Sequence, residues 1–130
     1  MNTRKQEFLE SLTHAIASLG EGLQFVPDSS RMAIDATIQR FEFSFELLWK
    51  TVKLFLADEG IEANSPRSCF EEAYKRKWMN DEQTWLHMMK CRNLASHTYD
   101  EKTADEIYED IRDFLKPMKD LCEKLTTSRV

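Results

Sequence analysis

An all-α fold is what this sequence predicts, and three observations carry it. Glycine and proline occur only three times each in 130 residues, too rarely for the many turns of a sheet protein. Leu, Glu, Lys, Ala, Met and Phe, most of them good helix formers, dominate the stretches between them. Apolar residues recur in steps of three and four, the period that lines one face of a helix. The length suits one domain spanning residues 1–130, and a composition 42% hydrophobic and 11% aromatic can fill its core.

Five helices follow in order. Leu9, Leu12, Ile16, Leu19 and Leu23 form one stripe, so the first helix should reach about Leu23. Pro27-Asp28-Ser29-Ser30 then supplies turn and capping groups. The second helix, Arg31 to about Asp58, has two apolar faces: Phe41, Phe45, Leu48, Val52 and Phe55 on one, and Phe43, Leu47 and Leu54 roughly opposite. Residues two apart differ by about 200° around a helix, so both faces need cover, one from the bundle and one from the bundle or a partner subunit. Between them lie Glu42, Glu46, Lys50 and Lys53, with Glu46 and Lys50 at pairing distance along the helix.

Gly60 is placed to stop that helix, and Ser65-Pro66 to start a short third one ending near Lys77. Asn80-Asp81-Glu82-Gln83 resembles a capping box opening the fourth, which carries Trp85, Leu86, Met88 and Met89 toward Arg92. Thr103-Ala104-Asp105-Glu106 reads as a capping box opening the fifth, whose stripe is Ile107, Ile111, Phe114, Met118, Leu121 and Leu125. Pro117 lies inside that stripe and should bend the helix, since it removes one backbone donor and crowds the carbonyl of Asp113.

A net charge of -5 argues against tight nonspecific binding to long duplexes, which depends on Lys and Arg neutralising phosphates. A local basic pocket is compatible with it. Cys69, Cys91 and Cys122 are widely spaced and sit in or beside apolar stretches, the pattern of small core residues in a reducing compartment. Met1 to Glu10 lacks a basic start followed by an apolar run, and no stretch approaches a membrane span. A cytoplasmic protein is expected.

The segment Cys91-Arg92-Asn93-Leu94-Ala95-Ser96-His97-Thr98-Tyr99-Asp100-Glu101 concentrates reactive groups. Arg92 can hold a phosphate through its fork, His97 can shuttle a proton near neutral pH, and Asn93 can orient either. Cleaving RNA without a metal needs those tools: a base for the ribose 2′-hydroxyl, an acid for the leaving oxygen, and positive charge at the phosphate. Five residues apart on a regular helix, Arg92 and His97 would sit about 140° from one another. Either the helix ends near Ser96 and lets His97 swing back, or two copies face each other across a dimer. An arginine and a histidine at a helix end also serve simply to satisfy carbonyls and the helix dipole, and spacing alone leaves that reading open.

Arg92-Asn93-x-x-x-His97 resembles the Arg-polar-x-x-x-His signature of HEPN domains, and the extension to Tyr99 resembles HEPN toxins paired with minimal nucleotidyltransferases. Arg40-Phe41-Glu42-Phe43-Ser44-Phe45-Glu46-Leu47-Leu48-Trp49-Lys50 is similar to the long second helix of the nucleotidyltransferase substrate-binding family. The resemblance implies an up-and-down bundle of four or five helices that dimerises, with no cofactor. It implies a metal-independent endoribonuclease toxin in which Arg92 stabilises the phosphate, His97 is the acid/base and Asn93 supports them. It further implies a partner antitoxin, a separate minimal nucleotidyltransferase that transfers AMP to Tyr99 and so blocks RNA. The older family label implies instead a noncatalytic substrate-binding subunit of a two-component nucleotidyltransferase. The chain itself does not look like the transferase, because Gly20, Gly22 and Gly60 lack the serine and spaced aspartates of a nucleotide-holding loop.

Other candidates read as structure. His87 and Cys91 stand four apart but lack a second ligand pair, so no metal is expected. His14 flanks the first apolar stripe. Trp49, Trp78 and Trp85 fit core or interface better than base stacking. Glu71-Glu72 and the acidic run from Asp105 to Asp113 read as solvated faces.

Overall fold

The computed structural model describes residues 3–127; Met1 and Asn2 of the N-terminal segment lie outside the described residues. Five α-helices and one short 3-10 turn make up the fold, and no strand occurs among the described residues. They are α1 (Thr3–Gly22), α2 (Met32–Asp58), α3 (Pro66–Lys75), α4 (Glu82–Leu94), the 3-10 turn Ala95–His97, and α5 (Glu101–Thr127). α1 lies along α2, α5 packs on α1, α2 and α4, and α3 bridges α2 to α4. No described helix is long and apolar enough to cross a membrane.

The predicted stripes form the core. Phe41, Phe45, Leu48, Val52 and Phe55 of α2 are buried against Leu9, Leu12, Ile16 and Leu19 of α1 and the α5 stripe from Ile107 to Leu125. Aromatic contacts join four helices in series. Phe114 of α5 meets Phe41 at 5.7 Å, Phe41 meets Phe45 at 6.1 Å, Phe45 meets Phe70 of α3 at 5.6 Å, and Phe70 meets Trp85 of α4 at 4.8 Å. Because such tilted and edge-on pairs pack without voids, this chain of rings sets where α4, and therefore Arg92, stands relative to α2. Trp49 and Trp78 pack partly buried against the same core, and all three cysteines are free and buried. The second face of α2 is open at Phe43, which is 58% exposed, whereas Leu47 and Leu54 are half-buried and Leu47 packs against the core.

Three helix ends differ from the sequence reading. α5 begins at Glu101, because Asp100 caps it: its carboxylate accepts from Lys102 N–H at 3.3 Å and from the Thr103 hydroxyl at 2.8 Å, and its carbonyl accepts from Ala104 N–H at 3.0 Å. Aspartate is the stronger cap, so Thr103 falls in the first turn as a donor rather than at the cap. α4 is capped by Asp81, not Asn80, with Asp81 accepting from Thr84 N–H at 3.2 Å. α3 stops two residues short of Lys77, which takes a left-handed φ of 62° while Trp78 N–H returns to the Ala73 carbonyl at 3.0 Å.

Gly60 ends α2 as expected, at φ 78°, with its N–H on the Ala57 carbonyl and that of Ile61 on the Leu56 carbonyl, both at 3.0 Å. Ser65 caps α3 reciprocally with Ser68. At the start of α2 the cap position is Arg31, left-handed at φ 63° and without a side-chain cap. Its guanidinium reaches Asp105 of α5 at 2.7 Å, which fastens the α1–α2 connection to the N-terminal end of α5.

α2 also buries three hydroxyls. Ser44 donates to the Arg40 carbonyl at 2.9 Å and Thr51 to that of Leu47 at 2.6 Å. Thr37 Oγ1, beside Gly22 of α1, has no partner among the described residues.

Candidate functional site

α4 unwinds just after Arg92. The 3-10 turn Ala95–His97 follows Leu94, with the Ser96 hydroxyl donating to the Asn93 carbonyl at 3.2 Å and Asp100 N–H to the His97 carbonyl at 3.1 Å. A regular helix therefore never carries both Arg92 and His97, in line with the sequence argument that one straight helix could not serve them. Thr98 and Tyr99 form the short link between this turn and the Asp100 cap.

His97 and Tyr99 are brought together. His97 Nδ1 lies 3.3 Å from the Tyr99 hydroxyl oxygen, and the two rings meet edge-on at 5.8 Å and 73°. Either the phenol donates to a bare Nδ1 or the imidazole N–H donates to the phenol oxygen. Both side chains face solvent, and Tyr99 is 83% exposed, so it is not a packing residue of this chain. Asn93 is exposed on the same helix end.

Arg92 turns to α2. Its guanidinium pairs with Glu46, whose carboxylate also accepts from Trp49 Nε1 at 3.1 Å and stands 3.9 Å from Lys50 Nζ. Glu42 lies one turn earlier, its carboxyl held above the usual range by burial, an effect that Arg92 opposes and Glu46 reinforces. A shallow groove lined by Asp35, Ile38, Gln39, Glu42, Thr98 and Tyr99 runs between α2 and the motif turn. Within one chain, then, Arg92 and His97 have separate partners. Sequence reasoning missed the acidic wall of Glu42 and Glu46; their spacing on one face of α2 was visible, but their approach to Arg92 depends on how α4 packs.

A second cluster sits one turn back on α4. His87 Nε2 is 3.0 Å from Asp110 Oδ2, and Cys91 Sγ is 3.6 Å from the same oxygen. Burial and then the Asp110 charge push the Cys91 thiol up to about 12. The sequence offered only two donors here, whereas the α4–α5 contact supplies a third. His14 lies exposed on α1.

A family model described as nucleotidyltransferase substrate binding protein like matches residues 7–127. The chain belongs to this family. The chain is also 33% identical over 97 residues to a protein of Haemophilus influenzae called "Probable ribonuclease HepT". That match takes in 71% of this chain and 66% of the relative, just under two thirds of its length. Two solved structures share the fold. One, from Thermus thermophilus, has a TM-score of 0.81 and 32% identity, over 88% of this chain and 98% of that one. The other, from Haemophilus influenzae, is described as revealing the fold of a substrate binding domain of a nucleotidyltransferase; its TM-score is 0.80 at 28% identity, over 91% of this chain and 98% of that one. Both the HEPN resemblance and the all-helical bundle drawn from the sequence are borne out.

Proposed function

We propose that this family member is a metal-independent endoribonuclease whose working groups are Arg92 and His97, with Asn93 in support. The observation that carries the reading is the solvent-facing His97–Tyr99 pair at the end of α4, one helical turn beyond a guanidinium. A relative called a probable ribonuclease adds weight to it. In the reaction, the 2′-oxygen attacks the neighbouring phosphorus as a base takes its proton, and the 5′-oxygen leaves as an acid protonates it. One histidine per chain supplies both roles when two chains share a cleft, and the open face of α2 at Phe43 is the surface we assign to that homodimer.

Tyr99 is the acceptor of AMP in this proposal. Its oxygen attacks the α-phosphorus of ATP on a separate minimal nucleotidyltransferase, pyrophosphate leaves, and the tyrosine proton passes to solvent. The anionic, bulky ester then stands beside His97 and screens Arg92 from RNA. A single chain of the AMP-free form is already restrained by Glu46, which occupies the guanidinium that a phosphate would need. Glu46→Gln should therefore tighten binding of a short single-stranded RNA several-fold, read by fluorescence anisotropy at fixed salt; an unchanged Kd would mean that the pair does not compete with phosphate.

The second reading, a noncatalytic subunit that presents substrate to a partner nucleotidyltransferase, is favoured by the family description and by the described fold of the Haemophilus structure. RNA incubated with the purified chain and a chelator separates the two. Cleavage to 2′,3′-cyclic phosphate ends is expected; intact RNA, together with normal growth of cells expressing the chain alone, would favour the binding subunit.

A further inference from the structure

His87, Cys91 and Asp110 take no part in the proposed chemistry, yet their donor atoms converge. His87 and Cys91 lie four apart on α4 and so share a face. Asp110 arrives from α5, which packs against α4. Its Oδ2 is 3.0 Å from His87 Nε2 and 3.6 Å from Cys91 Sγ, and all three donor atoms fall within 4.8 Å of one another. Tetrahedral zinc bonds of ordinary length put sulfur, nitrogen and oxygen ligands about 3.3–3.6 Å apart, so small side-chain adjustments suffice.

The surroundings fit as well. Cys91 is only 3% exposed and forms the floor, whereas the His87 and Asp110 side chains, 49% and 37% exposed, leave the mouth open for entry and for a fourth, water ligand. Phe114 meets the His87 ring edge-on at 5.3 Å and 87°, limiting its rotation. A thiolate and an imidazole are poor ligands for magnesium or calcium and good ones for borderline-soft cations.

We propose that His87, Cys91 and Asp110 form a binding site for one zinc-class divalent cation per chain, clamping α4 to α5 directly before Arg92. On binding, the Cys91 S–H bond breaks as the metal–sulfur bond forms, and the proton passes to the buffer with no change in oxidation state. His87 binds through a bare Nε2, which places its proton on Nδ1. The site is independent of the ribonuclease reading, since it acts as a clamp and not at the phosphate.

Cobalt(II) titration of the chelator-stripped full chain tests it. The expected result is a thiolate-to-cobalt charge-transfer band with tetrahedral d–d bands, saturating at one equivalent and displaced by zinc. His87→Ala, at an exposed position, and Asp110→Asn, at a half-buried one, should each weaken affinity at least about ten-fold, and Cys91→Ala should abolish the charge-transfer band. No such band in the parent protein overturns the proposal. So does a band that survives in a folded Cys91→Ala, or an affinity unchanged in His87→Ala and Asp110→Asn; these last two decide the matter if Cys91→Ala does not fold.

Discussion

Replacing His97 with alanine should lower RNA cleavage by about 10²–10⁴-fold, the range in which a positioned acid/base contributes, while leaving the fold intact. The His97 side chain is exposed and hydrogen-bonds only to Tyr99 among the described residues, so its loss opens no cavity. Arg92→Ala should fall by a similar factor, because the guanidinium supplies charge where the phosphate develops it. Glu46 then keeps Trp49 and Lys50 as partners, and the melting temperature should move little. Arg92→Lys tests the fork, since it retains charge without bidentate geometry. Cleavage assays and growth on expression read both effects, and two alanine variants as active and as toxic as the parent would remove this segment from the chemistry.

Incubation with the cognate nucleotidyltransferase and ATP should add an AMP-sized mass to the chain, map to Tyr99, and suppress cleavage. An 83% exposed phenol needs no unfolding to reach a second active site. Tyr99→Phe should acquire no mass and should cleave RNA equally well with and without ATP, each variant being compared with itself. The self-comparison matters because the phenol touches His97, so its removal can alter the basal rate. Mass addition elsewhere, with Tyr99→Phe still silenced, would refute the assignment.

The bundle was legible because periodicity is a local signal. The α2 stripe from Phe41 to Phe55 and the α5 stripe from Ile107 to Leu125 are written in one short window each, and burial follows them. Helix starts were less so, since several capping residues compete within three positions. Asp100 and Thr103 both suit the start of α5, and the carboxylate prevails by engaging the threonine hydroxyl as well as the backbone. At the candidate site, the spacing of Arg92, His97 and Tyr99 was readable, but their partners were not. Glu46 lies forty-six positions before Arg92, and Asp110 nineteen after Cys91. Both contacts arise from aromatic packing that sets α4 against α2 and α5, and no local pattern encodes that.

Thr37 shows where this fold stops short of its own stability ceiling. Its hydroxyl is sealed between α1 and α2 with no partner among the described residues, unlike Ser44 and Thr51 further along the same helix. Valine has the same branched shape and no donor to leave unmet, so Thr37→Val should raise unfolding free energy by about 1 kcal/mol, measured by urea denaturation. Selection holds a protein above the threshold its work requires and no further. The helix pair that forms the largest contact in the bundle thus carries an unused margin, available to offset whatever destabilising substitutions the motif turn acquires.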